Sequence, residues 1–494
     1  MNDEGALPDT ALESQPSADM RLPAALVVHA LELSPSSVAG SPPSTFSAIA
    51  THHEKVQPGA LFIASEYPGY SGGNAVSEAL ARGATGVVIR RDRTPVVPLG
   101  IPIYRVNDTL AAFRQIASAW RNEFHIPVIA VVGSVGKTTT SELLASLLRG
   151  RFRYVLGTTQ NLNGFVGLPL TLARLRRYHQ IAVVEIGIDE PGAMIQHMDL
   201  VRPTAAVLTA IGPEHLEKLQ DLNIVEREEC VALTYTSEHG GLLVINLDDP
   251  RLRRYWECQV VRNAVGFSLL DACYEEQRKQ RDVITGFREN ADELVVEGLG
   301  LSGLRIRCPI PGAHNARNLV AAIAAARALG LECEEITAGL RTFVQPTGRS
   351  EVRRLPVGAV VLCDYFNANP TSMLAALRLL SEWSPTSRRW ACLGDMLELG
   401  DNEEVYHRAL APPIANGFVD HVLLIGTRMR WLADELAQSD FTGTVEHFKA
   451  HKDIAARLQR GLSSGDRVLL KGSRGMRMER VWEALVSVGP SKAA

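Results

Sequence analysis

Short apolar runs of strand length alternate with amphipathic stretches over most of the chain. Val128–Val132, Ile181–Ile186, Ala205–Thr209 and Leu242–Ile245 are almost uniformly apolar, the pattern of strands covered by helices on both faces. A second set repeats it nearer the C-terminus: Val360–Cys363, Trp390–Leu393, His421–Ile425 and Arg467–Leu470. This alternation predicts an α/β chain built on mostly parallel sheets, the second set arranged as in a Rossmann-like fold. Between the sets, residues 257–310 read as short strands and Asn318–Leu329 as an alanine-rich helix. Ahead of both, Ala60–Ala64 and Gly86–Ile89 read as strands, and Ala75–Arg82 and Leu110–Arg121 as helices. Residues 1–24 are rich in Asp, Glu, Pro and Ser and poor in aromatics, as a disordered tail would be. The expected organisation is a tail (1–24) and three domains, 25–125, 126–345 and 346–494, in line with a chain of 494 residues.

The strand Val128–Val132 runs directly into Gly133-Ser134-Val135-Gly136-Lys137-Thr138-Thr139, and an amphipathic helix follows. Glycines between a strand and a helix let backbone N–H groups face phosphate oxygens, and the helix N-terminus adds partial positive charge. In such a loop Lys137 neutralises the β- and γ-phosphates of ATP, and the Thr138 hydroxyl holds Mg²⁺. The strict motif has glycine where this chain has Val131, so the loop is a variant. A glycine-turned loop that binds nothing is the bland alternative, and Gly-Lys-Thr at this junction argues against it.

Composition narrows the class. Hydrophobic residues make up 46% and charged residues 21%, ordinary globular usage. A net charge of −4 argues against a dedicated nucleic-acid binder. The seven cysteines are scattered and contain no Cys-x-x-Cys pair, a pattern that fits a reducing compartment. No apolar run approaches the ~18 residues that cross a bilayer. No basic start followed by an apolar stretch marks a secretory signal. A cytoplasmic monomer with no membrane partner is therefore expected.

In open α/β sheets, ligands gather beyond the carboxyl ends of strands. Glu185 closes one strand and is either a surface carboxylate or a Mg²⁺ ligand. His215 follows another, in Ile211-Gly212-Pro213-Glu214-His215-Leu216-Glu217, and is either structural or catalytic. Asn315, in Gly312-Ala313-His314-Asn315-Ala316-Arg317-Asn318, either caps a helix or contacts a purine. Asp364 and the stretch Asn367-Ala368-Asn369 follow a third strand, and with Pro370 next to them could form a simple turn.

Taken in order, these segments resemble the Mur ligases, in particular the branch that adds D-alanyl-D-alanine. The resemblance rests on residues 133–140, 161–171, 185–187, 211–217, 312–318, 346–349, 364–370, 393–400 and 471–474. It implies an N-terminal acceptor-binding domain, a central ATPase domain and a C-terminal Rossmann-like domain. It also implies amide-bond formation: ATP converts a carboxylate to an acyl phosphate, and an amino acid or dipeptide captures it. By the same resemblance, Lys137, His215, Glu185 and Arg349 are catalytic. Thr138, Glu185 and His215 hold Mg²⁺, while Asn315, Arg349 and Asp364 contact the nucleotide. Asn163, Asn367, Asn369 and Lys471 face substrate.

The chain departs from the family at three places. Where the family carries a carbamylated lysine, counting along residues 225–229 places Glu229, a shorter anion that could ligate Mg²⁺ without CO₂; a solvated acidic helix face is the alternative. Where the family has Asp-Ser-Arg ahead of Val56-Gln57-Pro58-Gly59, this chain has His52-His53-Glu54, and residues 65–73 lack the family's Gly-Glu and Asp-Gly-His pieces. Reversing Arg to Glu beside a uridine nucleotide disfavours it, so a ligase with an acceptor lacking UDP, serving specialised metabolism, is the leading expectation. The cell-wall ligase acting on UDP-muramoyl tripeptide is the alternative, and a nucleotide-binding protein without ligase activity the weakest. Lastly, Phe366 stands for a family tyrosine and Val135 for a polar loop residue.

Overall fold

The computed structural model describes residues 20–34, 36, 38–67, 70–159, 162–258, 261–270, 282–383 and 387–487. They cluster into two units: residues up to Ile126 with Phe165–His179, and Pro127–Gly164 with the chain from Gln180 onward.

The first unit is built on a four-stranded parallel sheet in the order Ile49–Ala50, Leu61–Ile63, Gly86–Arg90, Ile103–Val106. Its long helix, Thr109–Asn122, starts where Asp108 accepts the Leu110 and Ala111 N–H groups, satisfying donors that the first turn leaves open. Phe113, Ile116, Ala117 and Trp120 are buried on one face of it. The helix Gly167–Ala173 packs against it, and Trp120 Nε1–H donates to the Leu175 carbonyl at 3.3 Å. That contact draws residues 165–179 out of the surrounding sequence and into this unit. Of the expected tail, residues 1–19 lie outside the described residues. The remainder is packed: Met20 and Leu22 are buried, and Leu22–Pro23 pairs antiparallel with Thr45–Phe46. The acidic, proline-rich composition of the first residues masked an apolar segment long enough to join the core.

The second unit holds two sheets. The larger has nine strands, edge to edge Val155–Gly157, Ile181–Glu185, Val128–Val132, Ala205–Leu208, Leu242–Asn246, Ala264–Leu270, Val283–Arg288, Glu293–Gly298 and Leu301–Arg307. Pairing is parallel until Val283–Arg288, after which the last two strands run antiparallel. Its core is continuous with the helices Lys137–Leu148 and Ala313–Ala328. The alanine-rich helix begins at Ala313, ahead of the expected Asn318, so the whole polar motif after Gly312 lies on its first turns. The smaller sheet runs Glu351–Arg354, Val360–Cys363, Arg467–Lys471, Arg389–Gly394, His421–Ile425, Thr444–Phe448, parallel except for its first strand. Both sheets follow the α/β pattern anticipated from the apolar runs, and no helix among the described residues is long and apolar enough to cross a membrane.

Candidate active site

The phosphate loop is held open by its own backbone. Gly136, the residue before the helix Lys137–Leu148, has φ +87, a left-handed conformation that costs a side-chain-bearing residue energy; a Cβ there would also strike the Asn318 amide. The loop is anchored by Ser134 N–H to the Ala210 carbonyl at 2.7 Å. The neighbouring strand ends are tied in turn: Asn246 donates to the Thr209 carbonyl at 2.6 Å, and Asp249 accepts the Ile211 N–H at 2.7 Å.

Lys137 lies at the centre of this frame. Its ammonium donates to the Gly133 carbonyl and lies 3.4 Å from Glu214 Oε2. Burial pulls its pKa down, but the charges of Glu214, Glu229 and Glu185 outweigh that and the net shift is upward, so the side chain is fully charged. Glu229 is wholly buried and accepts the Gly133 N–H at 2.8 Å. Its neighbour Glu228 instead accepts the Gly192 N–H, and Glu226 pairs with Arg251 and Arg254. Residue 229 is therefore the carboxylate that the helix Leu222–Glu238 aims at the loop, not part of a solvated face. Burial raises the Glu229 carboxyl well above the ordinary range, with Lys137 opposing and Glu214 reinforcing.

Glu185 is buried at its strand end and accepts the Asn163 amide at 2.7 Å. Asn163 thus orients Glu185. His215 has φ +48 and its Nδ1 lies 2.6 Å from Glu398 Oε2. Burial lowers the His215 pKa, but the Glu398 hydrogen bond and the charges of Glu214 and Glu398 carry it upward overall. Thr138 is part-exposed on the first turn of the loop helix and Thr139 is buried beside it. Glu214 Oε1 and Glu229 Oε1 are both buried without a hydrogen-bond partner, as is Ser134 Oγ; these are oxygen donors of the kind a hard divalent cation prefers, but among the described residues no three His, Cys, Asp or Glu side chains group closely enough to hold a metal ion.

Residues from the smaller sheet close on this region. Arg349 is stacked 4.2 Å from the centre of the Phe366 ring and feels the charges of Glu185 and Asp364, although burial lowers its pKa on balance. The ring alone makes this platform, so the missing hydroxyl at 366 costs the stacking nothing. Asp364 accepts the Ser350 N–H at 2.9 Å and pairs with Lys471 at 2.6 Å. Burial raises the Asp364 pKa, but Lys471 outweighs it and the net shift is downward.

Several expected contacts are spent internally. Asn315 is 3% exposed; its amide donates to the Pro311 carbonyl at 2.8 Å and its oxygen accepts from Asn318 at 3.4 Å. It does not cap the helix, whose N-cap is Gly312. Lys471 is 2% exposed and is held by Asp364 and by the Asn367 carbonyl at 3.0 Å, so it braces the strand ends. Asn369 caps the helix Pro370–Glu382 through the Ser372 N–H. Asn367 accepts the Arg474 N–H at 3.3 Å. Asn318, Glu214 and Glu398 were missed. Asn318 could have been found, because it follows Asn315 by one helical turn. Glu214 and Glu398 lie in segments 211–217 and 393–400 that the sequence singled out, but their contacts with Lys137 and His215 come from residues distant in sequence and could not be read there.

In the N-terminal unit, taken by itself, His52, His53 and Tyr70 form a stack with ring centres 4.2 to 5.8 Å apart, and His53 N–H donates to the Tyr70 hydroxyl at 3.0 Å. Glu54 is exposed beside it. Glu66 accepts from Ser71 and from the Gly73 N–H.

A phosphate loop with a buried lysine–carboxylate cluster, facing an arginine from a second α/β domain, defines a nucleotide-dependent ligase. The Mur ligase middle domain matches residues 131–326, and the Mur ligase glutamate ligase domain matches residues 348–474. The UDP-N-acetylmuramoyl-tripeptide–D-alanyl-D-alanine ligase of Bacillus subtilis is 30% identical over 442 residues, covering 89% of this chain and 93% of that protein. The protein of the same name from Synechocystis is 31% identical, covering 90% and 92%. A crystal structure of MurF from Acinetobacter baumannii superposes with a TM-score of 0.80 at 25% identity, covering 95% of this chain and all of that one. MurF from Thermotoga maritima, solved in complex with ADP, superposes at 0.74 and shares the fold at 24% identity. The chain belongs to the Mur ligase family. It is an ATP-dependent ligase that forms peptide bonds, with the three-domain Mur ligase architecture and its relatives in the MurF branch.

Lys137→Ala is expected to cut ADP formation by roughly 100-fold or more through loss of the phosphate counter-charge; turnover near that of the parent would remove the loop from the mechanism. Glu229→Gln keeps an acceptor for the Gly133 N–H and removes the charge. It should raise the half-saturating Mg²⁺ concentration several-fold, and the parent should show no response to added bicarbonate; an unchanged Mg²⁺ titration refutes the ligand role. The His314 ring is held down to about 4, by burial first and then by Lys471, Arg317 and Arg288, against Asp364. The unfolded chain therefore binds a proton between pH 6.5 and about 4 that the folded chain refuses, so this contribution is complete above 6.5 and lost as pH falls. His314→Gln should flatten the fall of the thermal midpoint across that window, and an identical profile would exclude His314 as its source.

Proposed function

We propose that this chain activates a carboxylate as an acyl phosphate and joins it to the amino group of an amino acid or dipeptide. The acid's oxygen attacks the γ-phosphorus of ATP and ADP leaves; the amine nitrogen then attacks the acyl carbon, loses a proton and expels phosphate. The observation that carries this reading is the Lys137 ammonium held among Glu214, Glu229 and Glu185, with Arg349 stacked on Phe366 and sensing Glu185. In the reaction Lys137 and Arg349 neutralise charge that grows on the transferred phosphoryl group. Thr138, Glu185, His215 and Glu229 would hold Mg²⁺, which supplies further neutralisation of the phosphates, and Asn163 keeps Glu185 oriented.

Two acceptors are supported by different observations. The names of the relatives, similar over about nine-tenths of both chains, support addition of D-alanyl-D-alanine to UDP-N-acetylmuramoyl tripeptide. The exposed carboxylate of Glu54 beside the His52–His53–Tyr70 stack favours a carboxylate acceptor without the uridine diphosphate, because an acidic group repels a pyrophosphate. Phosphate release is followed with ATP, Mg²⁺ and D-alanyl-D-alanine, using the UDP-muramoyl tripeptide in one arm and a panel of small non-nucleotide acids in the other. Turnover confined to the first arm establishes the relatives' reaction, and turnover confined to the second establishes the altered acceptor. Amine-dependent ADP formation in neither arm would overturn the ligase mechanism for this chain.

A further inference from the structure

An amino acid or dipeptide that captures an acyl phosphate brings a carboxylate that takes no part in the chemistry. It arrives where negative charge is already concentrated, in the phosphates of ATP and the carboxylates around Lys137. Like charges repel most where water is scarce, so a cation has to receive that carboxylate. Around Phe366 the smaller sheet presents Arg349, Lys471 and Arg474. Arg349 faces the charges of Glu185 and Asp364. Lys471 is buried, with its ammonium 2.6 Å from Asp364 Oδ2. Arg474 differs from both: its side chain is 63% exposed, and its guanidinium lies 5.7 Å from the centre of the Phe366 ring, the ring on which Arg349 stands at 4.2 Å.

The turn that carries Arg474 follows the strand Arg467–Lys471 and is fixed by its own domain. Asn367 Oδ1 accepts the Arg474 N–H at 3.3 Å. The preceding Ser473 is buried. Its N–H donates to the Asp395 carbonyl at 3.0 Å, its Oγ donates to the Ala368 carbonyl at 3.0 Å, and the same oxygen accepts the Leu397 N–H at 2.9 Å. The guanidinium is thus presented from a rigid base, which reduces the ordering that binding has to bring about. Its side-chain hydrogen bond among the described residues runs from Nη1 to Glu479 Oε1 at 3.1 Å. An exposed ion pair of this kind contributes little to stability. It does hold one edge of the fork and leaves the Nε–Nη2 edge, the shape that receives a carboxylate through two parallel N–H···O bonds. The spacing also suits the substrate. An extended dipeptide sets its amine about 7 Å from its carboxylate, an interval of the order of that between two guanidinium groups on one phenyl ring.

We propose that Arg474 binds the carboxylate of the incoming amino acid or dipeptide, while Arg349 serves the transferred phosphoryl group. Arg474 is then a specificity-determining residue: it selects amines that carry a free acid. The inference rests on the reading of the chain as a carboxylate–amine ligase.

The test compares D-alanyl-D-alanine with D-alanyl-D-alaninamide, in which a neutral amide replaces the terminal carboxylate. ADP formation by the full chain is followed with ATP, Mg²⁺ and either UDP-muramoyl tripeptide or the panel of small acids. The parent should show a KM for the dipeptide about tenfold or more below that for the amide. Arg474→Gln should raise the dipeptide KM by about 10–100-fold, to the level of the amide, with the KM for ATP and kcat within about twofold of the parent. Arg474→Lys should recover part of the loss, because it restores the charge without the fork. Glu479→Gln breaks the ion pair but keeps the guanidinium, and should leave the preference for the dipeptide in place. A parent that uses the amide as well as the dipeptide overturns the proposal, as does an Arg474→Gln variant that keeps the preference. An equal rise in KM in Glu479→Gln, or a rise for ATP in step with the dipeptide, would mark a structural role and overturn it too. Amine-dependent ADP formation absent from the parent itself removes the ligase reading and this assignment together; a parent that turns over, beside an Arg474→Gln variant that still prefers the dipeptide, removes the assignment alone.

Discussion

The site is organised around one buried cation. An ammonium enclosed this deeply is costly unless compensated, and Lys137 is compensated by carboxylates from three separate elements: Glu185 at a strand end, Glu214 in the following loop and Glu229 on a helix. Each must arrive at the same place, so the positions of the strand Ile181–Glu185, the turn after Ala205–Leu208 and the helix Leu222–Glu238 are constrained by electrostatics as well as by packing. One oxygen each of Glu214 and Glu229 is left buried without a hydrogen-bond partner.

A lysine-borne carbamate would have reached the loop from farther along the helix side chain and required CO₂ to form. In this chain Glu229 is bonded directly to the Gly133 N–H. That bond makes loop and helix one hydrogen-bonded assembly.

The α/β class and the phosphate loop were legible because each has a local signature: apolar runs of strand length, and glycines at a strand-to-helix junction. The identity of Glu229 was also legible once its spacing from His215 was counted, but its burial was not, since three glutamates lie within four residues and only the helix phase selects one. The internal partners of Asn315 and Lys471 were hidden for the opposite reason. Their residue types suit ligand contacts, and nothing in the sequence reveals that Pro311 and Asp364 already occupy them. The packed start at Met20 escaped notice because a two-residue strand has no periodicity to detect.

The N-terminal unit is not a contiguous stretch of chain. Residues 165–179 return to it from within the ATPase sequence, and the helix Gly167–Ala173 finds its apolar seat against Thr109–Asn122. A single genetic crossover near residue 126 would graft a foreign module onto a helix shaped for another partner, leaving an ill-fitting seam. Inheritance of a new acceptor specificity by wholesale module exchange is thereby discouraged. Piecemeal replacement of residues is the route that this interleaved topology leaves open.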